Sequence, residues 1–302
     1  MKNKLTDTKD EFPHGVTGQI FKTLGCLGAV VLICSSGLAQ NLFVGDGGGS
    51  RILKFTWDGA QSIFASGLTP LALACNGSGN LFVADYGGSI LKFTPDGVHT
   101  TFASGLNYSQ GLAFDSADNL FVANFSGGVP HIGTGTIYEF TLDGTQSTFA
   151  SGLSNPTALA FDRAGNLFVA DIASPTIYEF TPAGVRTTFA SGVGGGLTSL
   201  ACDTAGNLFV AVYVTGVVRH GKGDGYIAKY TPSGVRSTFA SRLNGPVALT
   251  FDNVGNLFVE DAEGIDPSET KYYPGAIYKY TPNGRQSTFV PGFDTGNSLA
   301  FH

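Results

Sequence analysis

The sequence predicts an all-β fold, a six-bladed β-propeller of four-stranded antiparallel blades, and three observations predict it. The tetrapeptide NLFV recurs at Asn41, Asn80, Asn119, Asn166, Asn207 and Asn256, in steps of 39, 39, 47, 41 and 49 residues. A period near forty is the mark of a repeat architecture. Each period holds four short apolar runs, rich in β-branched and aromatic residues and separated by turn signals, which is strand length and strand composition. Finally, the first copy lacks the run that precedes NLFV elsewhere, while the chain ends on an orphan of that run, Ser298 to Phe301. If this C-terminal strand joins the first blade, six complete blades close into a ring, and radial closure protects the sheet edges.

The copy around Asn166 displays the unit. Its strands are expected at Thr157 to Phe161 (A), Asn166 to Ala170 (B), Thr176 to Phe180 (C) and Arg186 to Ala190 (D). The A to B connections read DSADN, DRAGN, DTAGN and DNVGN, with CNGSGN as the exception. A leading Asp or Asn can accept from its own backbone, and Gly tolerates a positive φ, so these are tight hairpins. The C to D connections, TWDG, TPDG, TLDG, TPAG, TPSG and TPNG, all place Gly where the left-handed conformation falls, and four of them place Pro where φ is preset. The Leu, Phe and Val of each B strand read as packing between blades.

Residues 1–39 do not match the repeat. Lys2, Lys4, Lys9 and Lys22 precede an apolar run from Leu24 to Leu38, and Gly37, Leu38 and Ala39 put small residues where a signal peptidase cuts. The run is shorter than the ~20 residues of a membrane span. Residues 1–39 are therefore expected to be a cleaved signal peptide, the alternative being an uncleaved anchor, and 40–302 a secreted or periplasmic propeller with no membrane span in the mature chain, acting as a monomer. The whole chain carries a net charge of −6. Nucleic acid is excluded as a partner on this ground, since binding it depends on Lys and Arg neutralising phosphates. Of four cysteines, Cys75 and Cys202 lie in the mature part, where other copies have Phe114, Phe161, Phe251 and Phe301. They belong to blades three steps apart in a six-membered ring. A disulfide needs Cα atoms within about 7 Å, so two buried free thiols are expected.

Because strands alternate direction, A to B and C to D turns share one face, and B to C and D to A loops share the other. The first set is uniformly short. The extra residues fall in three B to C loops, Asn124 to Gly135, Val212 to Gly225 and Asp261 to Gly275, and insertions gathered on one face mark a binding face. Ligand-binding candidates there are His131, Tyr213, Arg219, His220, Asp224 and Tyr272. His131 and His220 suit metal ligation or acid–base work, since imidazole does both; the plainer reading is two solvated loop histidines. Asp261, Glu263, Asp266 and Glu269 are candidates for Ca²⁺ or another divalent metal through oxygen ligands, although they do not fit an EF-hand spacing; the alternative is a solvated acidic loop. The Asp ending strand B recurs as Asp46, Asp85, Asp171 and Asp261, with Asn124 and Val212 as departures, which fits a turn-stabilising role. Asn107, Gln110, Asn155, Thr157, Asn244 and Asn297 put neutral polar groups at the channel mouth, suited to a polar ligand or to loop capping. There is no G-x-S-x-G elbow, phosphate-cradling loop, H-E-x-x-H or Cys-based metal spacing.

Over PTALAFDRAGNLFVADIASPTIYEFTP the chain resembles the NHL repeat, and it is similar to the wider group of six-bladed propellers that includes the SMP-30/gluconolactonase-like proteins. That resemblance implies the propeller fold over 40–302. The gluconolactonase-like enzymes it resembles bring a Glu, an Asn and an Asp onto a divalent metal at the channel mouth, whereas the D to A loops here contribute no Glu and only Asp294 as an acid. The amidating-lyase relatives use several His ligands, for which this face offers only His131 and His220. No catalytic residue carries over. Two readings follow: an exported binding or scaffold module holding a protein, glycan or small polar ligand on its loop-rich face, or a metal-dependent lactonase- or lyase-like enzyme using Glu263, Asp266, His131 or His220.

Overall fold

The computed structural model describes residues 40–125, 134–214, 223–262, 264–266, 271–293 and 296–302. They form six four-stranded antiparallel sheets, each a simple meander from the A to the D strand. Five blades are continuous in sequence; the fourth runs through Pro156–Phe161, Leu167–Asp171, Thr176–Phe180 and Arg186–Ser191. The first blade is assembled from both ends of the chain. Gly296–Phe301 pairs antiparallel with Leu42–Asp46, matching Leu42 to Phe301 and Val44 to Leu299. The Asn41 amide donates to the His302 carbonyl at 2.7 Å, and the His302 amide returns a bond to Asn41 at 3.1 Å.

The turns explain why NLFV begins with Asn. In the A to B turn Asp162 accepts from the Asn166 amide at 2.8 Å with one oxygen and from Asn166 Nδ2 at 2.9 Å with the other. Asp115 with Asn119, Asp203 with Asn207 and Asp252 with Asn256 repeat this clasp, and Asn76 with Asn80 is a weaker version. The clasp holds the hairpin shut and gives Asn a fixed place ahead of the strand.

The core lies between the blades. Six apolar clusters each join one blade to the next, and the series runs round to the seam between the sixth blade and the first, where Leu42, Phe55, Phe258 and Leu299 meet. The Phe of each B strand stands edge-on to a D-strand Phe of its own blade: Phe209 to Phe239 at 5.0 Å and Phe121 to Phe149 at 5.0 Å between ring centroids. It also meets the A-strand Phe of the next blade, as Phe121 meets Phe161 and Phe258 meets Phe301. Edge-to-face pairs add directional preference to area burial. Cys75 and Cys202 replace that A-strand Phe in blades two and five. Both are free thiols, as expected, but they are half-buried rather than buried, because both border the axial channel. Burial still pushes the Cys75 thiol up to about 12 and raises Cys202 further.

Among the described residues no helix is long and apolar enough to cross a membrane. The expected signal peptide lies outside the described residues.

Candidate functional site at the channel mouth and loop-rich face

All six A strands line an axial cavity of about 340 Å³. Its walls are the apolar Ala and Leu positions of those strands, and its mouth is ringed by Leu71, Gln110, Thr157, Thr198, Val247 and Asn297. Three of these polar side chains are committed to the ring. Thr157 Oγ1 donates to the Leu197 carbonyl at 3.2 Å, Thr198 Oγ1 to the Pro246 carbonyl at 2.6 Å, and Asn297 Nδ2 to the Pro70 carbonyl at 2.7 Å. Each bond runs from one A strand to the A strand of the next blade. Gln110 is exposed.

The Asp ending strand B closes the loop that leads into its own blade. Asp85 accepts from Thr69 N at 2.7 Å, Asp171 from Ser154 N and Asn155 N at 2.7 and 2.8 Å, and Asp261 from Asn244 N and Gly245 N at 3.1 and 2.8 Å. Asn124 is no functional departure, because its Oδ1 takes Asn107 N at 2.7 Å. Val212 cannot accept, and there the D to A loop is built from glycines, with Gly194 and Gly195 at φ +69° and +92°. Asp46 turns inward on its own loop, accepting from Gly49 N and pairing with Arg51 Nε, both at 2.7 Å. The metal candidate Asp261 is thus occupied by two amides; burial lifts its carboxyl to about 6 against the opposing pull of those N–H groups.

Glu260 is the residue this site makes unusual. It occupies the B-strand position filled elsewhere by Gly45, Ala84, Ala123, Ala170 and Ala211, is 1% exposed, and its Oε2 has no hydrogen-bond partner among the described residues. Burial, reinforced by the charge of Asp46, holds its carboxyl well above the usual range. Room for it comes from the next blade. Gly296 faces Asp46 where Pro70, Pro156 and Pro246 face Asp85, Asp171 and Asp261, and a Cβ on Gly296 would fall 1.9 Å from Glu260 Oε1. The Glu fills the space that a proline ring takes at other seams.

Of the sequence-derived candidates, Tyr213 and Asp224 are exposed on the loop-rich face. Asp266 and Tyr272 lie on a short two-stranded ribbon, Gly264–Asp266 with Lys271–Tyr273, paired Ile265 to Tyr272; no such ribbon was expected in that loop. His131, Arg219, His220, Glu263 and Glu269, like Asp294, lie outside the described residues. Among the described residues no group of three or more His, Cys, Asp or Glu is placed to hold a metal ion.

Sequence reasoning missed Tyr86 and Tyr108. They are 56% and 41% exposed, their rings stand edge-to-face at 5.4 Å, and their hydroxyls hydrogen-bond at 3.0 Å. That bond raises the Tyr108 hydroxyl above its ordinary value. Each is the sole aromatic residue of a short loop, DYGG and LNYSQG, which was the signal on offer.

No family model and no curated protein matches the chain. Solved structures do. A chain of a nidogen/laminin complex is similar at TM-score 0.68 and 18% identity, over 87% of this chain and 98% of that one. Regucalcin from Agrobacterium tumefaciens, described as a calcium-binding protein, is similar at TM-score 0.57 and 17% identity, over 73% and 77%. Virginiamycin B lyase from Staphylococcus aureus is similar at TM-score 0.59 and 14% identity, over 84% and 82%. At such identities the likeness speaks for architecture, and both binding proteins and enzymes share it. What this chain has in common with them is the fold, a closed six-bladed β-propeller.

Proposed function

We propose that the chain is an exported, non-enzymatic binding propeller that holds its partner, a protein, a glycan or a small polar ligand, on the face carrying the B to C and D to A loops. One observation carries this reading: the two kinds of polar group on that face have separate uses. The repeated ones, Thr157, Thr198, Asn297 and the B-strand Asp residues, bond to the backbone of the ring. Of the unrepeated ones, Glu260 and Ser109 are buried, whereas Tyr86, Tyr108, Tyr213 and Asp224 are exposed, and exposed aromatic residues are the usual anchors of recognition surfaces.

The test is a pair of assays on the secreted chain. Capture of a specific partner, abolished by shortening the loops at 126–133 and 215–222 and unaffected by EDTA, supports the reading. Hydrolysis of a lactone panel that EDTA stops and Glu263→Gln abolishes overturns it in favour of a metal-dependent enzyme.

A further inference from the structure

The Tyr86 and Tyr108 pair is built, not incidental. Tyr86 follows the B strand of the second blade, and Tyr108 precedes the A strand of the third. One bond joins the two loops, from Leu106 N to the Gly88 carbonyl at 3.0 Å, and each is also tied to its own blade, by Tyr86 N to the Thr69 carbonyl at 2.9 Å and by Asn107 N to Asn124 Oδ1 at 2.7 Å. Gly88 permits the approach, because a Cβ there would lie 2.2 Å from the Leu106 carbonyl oxygen. Tyr108 itself adopts φ +40°, a left-handed conformation that a bulky residue keeps only where its surroundings hold it. Two aromatic rings are thus fixed in the free chain, with little ordering entropy left to lose on binding.

The surrounding chemistry is neutral. The loops Asp85–Gly88 and Leu106–Gln110 contain no Lys or Arg, and their one charge, Asp85, is engaged by Thr69 N and Gly87 N. The Tyr108 loop also carries the exposed residues Asn107 and Gln110, whose side chains end in amides. In the same loop Ser109 Oγ, in a residue 2% exposed, has no hydrogen-bond partner among the described residues, a departure from the rule that buried polar groups are paired. A flat apolar ring face flanked by neutral donors and acceptors is complementary to a pyranose, which offers a C–H face for stacking and hydroxyls for amides. These two loops offer no cation to a phosphate or sulfate ester.

We propose that Tyr86 and Tyr108 form a stacking platform for a neutral, hydroxyl-rich sugar ring, making the loop-rich face a glycan-binding surface. This rests on the binding reading above and narrows its partner to one class.

The experiment is calorimetric titration of the full chain with neutral hexasaccharides of glucose, mannose, xylose and N-acetylglucosamine. At least one series should bind, and Tyr86→Ala and Tyr108→Gly should each weaken it about tenfold or more, with the melting temperature unchanged. Gly suits the positive φ, so Tyr108→Gly removes the ring without straining the backbone. Gly88→Ala, which pushes the loops apart, should weaken binding without removing either ring. Binding that survives both tyrosine variants overturns the platform. No hexasaccharide bound, with a protein partner still captured through the loops, overturns the glycan while leaving the binding reading intact. Neither sugar nor protein bound overturns both.

Discussion

The two faces of the ring are made from the same repeat and behave in opposite ways. On the turn face four A to B hairpins repeat one device, as in Asp162 with Asn166 and Asp252 with Asn256, and three C to D turns repeat another, Thr56 to Asp58, Thr94 to Asp96, Thr141 to Asp143. On the loop face the common Asp persists, but around it are single departures: Tyr86, Tyr108, the Glu260 and Gly296 exchange, the glycine loop opposite Val212. Every blade must fit the same two neighbours, so repetition reports what packing and backbone satisfaction require. Departure reports either a local compensation or a demand from outside the ring, and the chemistry of each case tells which.

Substitutions can break this contrast. The largest effect belongs to the wall between the faces: Phe209, 3% exposed between Phe239 and Phe251, should cost about 3 to 5 kcal/mol as Phe209→Ala, and a urea melt showing under about 1 kcal/mol would remove the inter-blade core as the source of stability.

The next effect is one of pH on the loop face. The Asp261 carboxyl, lifted from 3.8 to about 6, binds its proton more tightly folded than unfolded. Its contribution is full below about pH 4 and is lost as pH rises through about 6, up to about 3 kcal/mol; Glu260, raised in the same direction by burial and Asp46, adds with the same sign. Thermal melts from pH 4 to 8 should show the wild type losing stability relative to Asp261→Asn, and parallel curves would contradict the shift.

On the turn face Asp252→Ala should cost about 2 kcal/mol, since the buried carboxylate accepts from Val254 N, Asn256 N and Asn256 Nδ2. A loss as small as that of an exposed substitution would detach repetition from necessity. Smaller still is the coupling at the closing seam. Gly296→Ala should be worse by about 1 to 2 kcal/mol in the presence of Glu260 than beside Glu260→Ala; equal costs would mean that the two residues do not share the space. The smallest effect is Tyr86→Ala, within about 0.5 kcal/mol in melts, so that any loss of ligand binding it causes is not a loss of folding.

Much of the fold was legible because its information is local and redundant. Six copies of NLFV, hairpin signals at fixed offsets and an orphan A strand state the blade count and the closure before any coordinate, and even the role of the B-strand Asp could be read from its recurrence. The strand limits came out one residue short, at Pro156, Asp171 and Ser191, because pairing continues past the apolar run, and strand B begins at Leu167 rather than Asn166, which belongs to the turn. The site was far less legible. His131, Arg219, His220, Glu263 and Glu269 stood out as unusual residues in long loops, yet length and rarity say nothing about which side chains meet. Tyr86 and Tyr108 looked ordinary, 22 residues apart in short loops.

The amino-acid order alone determined the period, the meander within each period and the need to close a ring, since those follow from apolar spacing and turn chemistry acting over a few residues. Tertiary structure alone decided that Thr157, Thr198 and Asn297 bind the blades to one another, that Glu260 occupies room left by Gly296, and that two tyrosines share a hydrogen bond. The reason is geometric: neighbouring blades lie side by side with about forty residues between matching positions, so contacts across a seam depend on how the ring closes and leave no pattern along the chain.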